Sequence, residues 1–204
     1  MDKNKINRWI DEYTSDVDLS QMEWLVMDTY SLLEFYDKNY VDEELDEAVS
    51  EDITHFNALG MHYVPMRKES PDIRYLVGIC KNKIGKKTLV ACITYVENYR
   101  LFTSQRVPLT YLCTCEINKY FRNRGLSKIM FNEFAKVINP EHHFISTPQS
   151  DEGTFCHVHQ NLYNSLINNG FEKLIILKDE TTSLLTPEFK ELLCNETTQL
   201  RKTI

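Results

Sequence analysis

Between Asp72 and Asn118 three β-branched and aromatic runs follow one another, DIRYLVGICKN, KTLVACITYVENYR and VPLTYLCTCEIN, separated by the turn KNKIGK and one short polar link. Side chains of this kind pack well on a pleated surface, and runs joined by so little chain read as an antiparallel meander. The pattern after Asn118 is different. From near Arg124 the residues Leu126, Ile129, Met130, Phe134, Val137 and Ile138 share one side of a helix, which stops at Asn139-Pro140. A short strand is expected at His143 to Pro148. SDEG then caps a long amphipathic helix with Phe155, Val158, Leu162 and Leu166 on its buried face, and NNGF (Asn168 to Phe171) stops it. FEKLIILK reads as another strand.

Ahead of the meander, SQMEWLVMDTYSLLEFY from Ser20 has near-helical apolar spacing, and a weaker helix is expected over Glu43 to Asn57. At the other end TPEFKELLCN places Thr186 as cap and Pro187 in first helical position. The expected order is two helices, three strands, helix, strand, helix, strand, helix. That order predicts an α/β (α+β) architecture: a mixed, mostly antiparallel central sheet flanked by helices on both faces. A chain of 204 residues suits one domain.

Composition narrows the function classes. Six cysteines lie mostly among aliphatic and aromatic neighbours and read as free thiols; neither CTC nor CHVH has the spacing of a zinc site, so no metal is expected. The first thirty residues lack a charged-then-apolar leader, and no apolar run is long enough to cross a bilayer. The chain reads as a soluble cytoplasmic protein with no membrane partner. Residues 1 to 60 carry sixteen Asp and Glu against four Lys and Arg, a net of −12, while the remainder is +5. An acidic first third argues against nucleic acid and is suited either to solubility or to attracting a cationic small molecule.

The turn NKYFRNRGLSK is the segment where chemistry concentrates. Gly125 stands where strand gives way to helix and permits a backbone approach that a Cβ would block. The first turn of the helix leaves N–H groups unpaired, and Arg122, Arg124 and Lys128 add positive charge beside them. A phosphate or pyrophosphate is the natural occupant; the other reading is a turn with solvated basic residues. Neither GxGxxG nor a P-loop is present.

EINKYFRNRGLSKIMFNEF resembles the central motif of the GNAT (Gcn5-related) N-acetyltransferases, whose Arg or Gln, x, x, Gly, x, Gly or Ala turn binds the pyrophosphate of acetyl-CoA; INNGFEKL is similar to the family's closing segment after its last core helix. The resemblance covers about residues 20 to 178, leaving a helical tail over 179 to 204. It implies a GNAT-like acyl-CoA N-acyltransferase fold and an enzyme that transfers the acetyl group of acetyl-CoA to a primary amine, a cationic small molecule or a protein amine. A homodimer is compatible with it.

Carried over by position, the resemblance implies that backbone amides across Arg122, Arg124, Gly125, Leu126, Ser127 and Lys128 cradle the pyrophosphate. Main-chain groups of Cys115, Glu116 and Ile117 would pair with the pantetheine arm. Glu116 would act as the base that takes the amine proton through water; its other reading is an outward strand residue paired with an Arg. The family's acidic tyrosine position falls on Leu166, and Tyr163 stands one turn earlier, either doing the same work or packing as an aromatic. The family's asparagine of this helix is matched by His159 or Asn161. His157 and His159 otherwise read as surface residues, and Ser127 replaces the commoner Gly or Ala. The displaced tyrosine leaves a second option, a non-catalytic acyl-CoA-binding or interaction protein on the same fold.

Overall fold

The computed structural model describes residues 3–40, 73–100, 107–146, 155–172, 174–176 and 201–203. In chain order the elements are α1 (Lys3–Thr14), β1 (Glu23–Met27), α2 (Thr29–Tyr40), β2 (Ile73–Lys81), β3 (Lys87–Glu97), β4 (Leu109–Ile117), α3 (Leu126–Val137), β5 (His143–Ser146), α4 (Phe155–Asn168), β6 (Leu174–Ile176) and β7 (Arg201–Thr203). The strands form a seven-stranded sheet in the order β1-β2-β3-β4-β5-β6-β7. The expected hairpin is β2 and β3, joined by a five-residue turn too short for a parallel crossover, and β1, not expected as a strand, pairs antiparallel with β2. From β4 onward the pairing is parallel, β4 with β5, β5 with β6 and β6 with β7.

Backbone contacts divide the chain into two compact units, one of Met1–Pro71, Tyr75–Cys92 and Cys115–Leu126, the other of Asp72–Arg74, Ile93–Thr114 and Ser127–Ile204. The strands β2, β3 and β4 contribute residues to both.

In the first unit the helix expected from Ser20 to Tyr36 is corrected. Glu23–Met27 is a strand, with Trp24 opposite Gly78 and Val26 opposite Leu76 on β2. Asp28 then starts a new element, its carboxylate accepting from the Ser31 backbone N–H at 2.8 Å as an N-cap does. Short apolar runs fit both periods, and here pairing with β2 outweighs helical spacing. Helix α1 was not foreseen, because its segment is mostly polar. It buries Ile10 and Tyr13, three residues apart on one face, and the Tyr13 hydroxyl donates to the Asn39 carbonyl of α2 at 2.6 Å. Thr88 of β3 donates to the Tyr13 carbonyl, and the Asn82 side-chain amide donates to the Glu12 carbonyl at 2.7 Å. The β2–β3 turn closes on Asn82, with Gly85 at φ +83° supplying the left-handed residue.

In the second unit α3 presents Met130, Phe131, Phe134, Ala135 and Ile138 to the core. The Phe134 ring meets Tyr95 edge-on at 5.2 Å and Phe144 at 6.0 Å. Ile129 and Val137, expected on this face, are 49% and 40% exposed, while Phe131 takes the place beside Met130. Helix α4 buries Leu162 and Leu166 as expected and ends in a Schellman motif. Phe171 N–H donates to Leu166 O at 3.1 Å, Gly170 N–H donates to Ile167 O at 3.0 Å, and Gly170 has φ +88°. The last described residues, Arg201–Thr203, form a strand beside β6, which corrects the expectation of a helical tail running to the end. The helices expected at Glu43 to Asn57 and from Thr186, the SDEG cap and Pro148 lie outside the described residues. No described helix is long and apolar enough to cross a membrane.

Candidate functional site

The turn between β4 and α3 is built from Asn118 outward. Asn118 has no exposed surface. Its backbone N–H donates to Val90 O at 2.9 Å, its side-chain amide donates to Leu89 O at 2.9 Å, and its side-chain oxygen accepts from Tyr120 N–H at 3.1 Å. Those three bonds tie the end of β4 to β3 and cap the single 3-10 turn Lys119–Phe121. The turn delivers Phe121 into a buried cluster with Cys80, Val90 and Leu126, against which Val17, Leu19, Met22 and Ile117 pack. With Phe121 and Leu126 anchored inward, the four residues between them, Arg122 to Gly125, stand exposed as a loop.

Two residues of that loop take left-handed backbone, Asn123 at φ +62° and Gly125 at φ +73°. For an L side chain this conformation costs about 1–2 kcal/mol, least for Asn, and Gly escapes it. A Cβ built on Gly125 would meet no atom of the described residues within 4 Å, so among them the space beside it is open. Helix α3 begins at Leu126, two residues later than expected, which makes the amides of Leu126, Ser127 and Lys128 those of its first turn.

The arginines are oriented by the turn itself. Arg122 Nε donates to Ile117 O at 2.9 Å, so that carbonyl, expected to pair with a pantetheine arm, already has a partner. Arg124 donates from Nη2 to Tyr120 O at 3.4 Å, and its guanidinium lies 5.5 Å from the Phe121 ring centroid, in cation–π range. Both side chains are exposed, as is Lys128. Asn118, which fixes all of this, carries no charge and no motif, and only its place at the strand end could have drawn attention to it.

Along β4 the pairing with β5 runs from Leu109 to Leu112, and Cys113–Ile117 continue past the last pair of this register. Cys115 and Ile117 point to one face and Glu116 to the other. Glu116 is half-buried. The Cys115 thiol is pushed up to about 12, first by burial and second by the neighbouring Glu116 carboxylate, and so stays protonated at neutral pH. Among the described residues, Cys80, Cys92, Cys113 and Cys115 form no disulfide.

On α4, Asn161 and Tyr163 are half-buried, whereas Leu166 is 1% exposed and closed off by the Schellman end. Asn161 Nδ2 donates to Ser127 Oγ at 3.3 Å, joining α4 to the first turn of α3. A separation of 34 positions along the chain hides this pair from sequence spacing. The structure thus brings together Arg122 with Ile117, Cys115 with Glu116 and Ser127 with Asn161; Glu116 belongs to the first unit and Tyr163 to the second. The side chains of His157 and His159 lie outside the described part. Among the described residues no group of three or more metal-ligating side chains occurs.

No protein-family model matches the chain, and no curated protein matches it. Among solved structures it is similar to AAC(6')-Iy in complex with the bisubstrate analogue CoA-S-monomethyl-acetylneamine, at 14% identity and TM-score 0.41, over 70% of this chain and 89% of that one. It is also similar to meta-AAC0020, an aminoglycoside acetyltransferase from an uncultured soil metagenomic sample in complex with trehalose, at 13% identity and TM-score 0.37, over 72% and 88%.

Proposed function

We propose that the protein is an N-acetyltransferase of the GNAT type that uses acetyl-CoA as co-substrate and a primary amine as acceptor. The observation that carries this reading is the loop at Arg122–Gly125, with its left-handed glycine, open space and oriented arginines at the first turn of α3. First-turn amides and the helix dipole favour an anion there, and the arginines add full charge, which suits a pyrophosphate. The mixed sheet, antiparallel between β1 and β2 and parallel from β4 to β7, is compatible with the GNAT-like arrangement that the sequence motif implies.

In the proposed reaction a neutral amine attacks the thioester carbonyl, forming the C–N bond as the C–S bond breaks. Glu116, through water, takes the amine proton. Tyr163 gives its hydroxyl proton to the departing thiolate, and Leu166, apolar and enclosed, cannot. The acceptor class, a cationic small molecule or a protein amine, rests on the acidic first third of the chain.

The test is release of CoA thiol across a panel of amines by the wild type and by Tyr163→Phe. Turnover by the wild type and a loss of about 10-fold or more in the variant support the enzyme and its acid. Acetyl-CoA binding with no turnover on any amine would favour the non-catalytic acyl-CoA-binding reading, to which the enclosed Leu166 gives its weight.

A further inference from the structure

We infer that Asn161 and Ser127 form a positioning pair that holds the first turn of α3 in its phosphate-binding orientation, and that Asn161 serves the cofactor through this turn rather than by touching the pantetheine arm. The inference rests on the acyl-CoA reading of the turn. Its observation is the bond from Asn161 Nδ2 to Ser127 Oγ at 3.3 Å.

Ser127 is the second residue of α3, amid the amides that a pyrophosphate would use. Its neighbours Lys128 and Ile129 are exposed, and the next buried residue of the helix is Met130. The first turn therefore has little apolar packing of its own past Leu126. Asn161, by contrast, stands on a helix fixed by buried Leu162, Ser165 and Leu166 and by the Schellman end at Gly170 and Phe171. A bond from the anchored helix to the exposed turn restrains the turn. A serine hydroxyl both accepts and donates, so the residue at this position can receive the Asn161 amide where a Gly or Ala could not. The pair is specific to a chain that places Ser where the motif more often has Gly or Ala.

Affinity for acetyl-CoA and for acetyl-pantetheine, which lacks the pyrophosphate, would be measured by calorimetry on wild type, Ser127→Ala, Asn161→Ala, the double variant and Ser127→Thr. Each single alanine variant is expected to weaken acetyl-CoA about 2- to 10-fold, the span of one hydrogen bond. The double variant should lose no more than either single, because both remove the same bond. Acetyl-pantetheine should bind all variants as it binds the wild type, and Ser127→Thr, which keeps the hydroxyl, should restore acetyl-CoA affinity. Asn161→Ala weakening both ligands alike, or losses that add in the double variant, would overturn the inference while leaving the cofactor reading intact. A folded wild type that fails to bind acetyl-CoA would overturn both.

Discussion

Asn118 donates its side-chain amide to the carbonyl of Leu89 at 2.9 Å from a position with no exposed surface. The same side chain accepts from Tyr120 N–H, so one residue bonds a strand carbonyl on one side and caps the 3-10 turn Lys119–Phe121 on the other. Asn118→Ala removes both side-chain bonds and should cost about 1–3 kcal/mol of stability, read from urea unfolding. Asn118→Asp retains an acceptor for Tyr120 but cannot donate to Leu89, and should also destabilise. A loss below about 0.5 kcal/mol in both variants would mean that the turn is held by something else.

Gly170 has φ +88° at the Schellman end of α4, with Phe171 and Leu166 both buried behind it. Gly170→Ala is therefore expected to lower stability by about 1 kcal/mol, seen as a fall in Tm, although a Cβ there meets no atom of the described residues within 4 Å. An unchanged Tm would show that the helix end relaxes without strain.

Three groups make stability sensitive to alkali. Burial pushes the Cys80 thiol up to about 11 and the Cys115 thiol to about 12 from an ordinary 9.0, with nearby carboxylates adding to each. The Tyr95 phenol rises to about 12 from 10.0, again chiefly through burial, with Glu97 adding and Arg74 opposing. In the unfolded chain the thiols lose their protons near 9.0 while the folded protein keeps them to about 11 or 12. The unfolded state then binds fewer protons, so the contribution is complete below the unfolded value and is lost as pH rises through the folded one. Unfolding by urea at stepped pH should show a slope above pH 9.0 that is shallower in Cys80→Ala than in wild type. Equal slopes would contradict the assignment.

Much of the fold was legible because it depends on local pattern. The strands at Ile73–Lys81, Lys87–Glu97 and Leu109–Ile117, the helix after Gly125 and the stop at Gly170-Phe171 follow from β-branched runs, turn residues and a left-handed glycine. β1 was hidden because EWLVM fits a helical stripe as readily as a strand until β2 is placed beside it. Ile129 and Val137 satisfied the helical template, yet the core is reached through Phe131 instead, a matter of which arc of α3 faces the sheet. In the candidate site, Gly125 and the basic residues were visible. The buried Asn118 and the Asn161–Ser127 bond were not, because each depends on chain brought from 29 to 34 residues away.

The most direct test is calorimetric titration of the wild type and of Gly125→Glu with acetyl-CoA, with circular dichroism confirming that both are folded. The substitution places a side chain on a φ of +73° and a negative charge in the open space beside the first turn of α3. Micromolar binding by the wild type and its loss in the variant is the predicted result. No binding by the folded wild type, or equal binding by both, would contradict a pyrophosphate cradle at this turn.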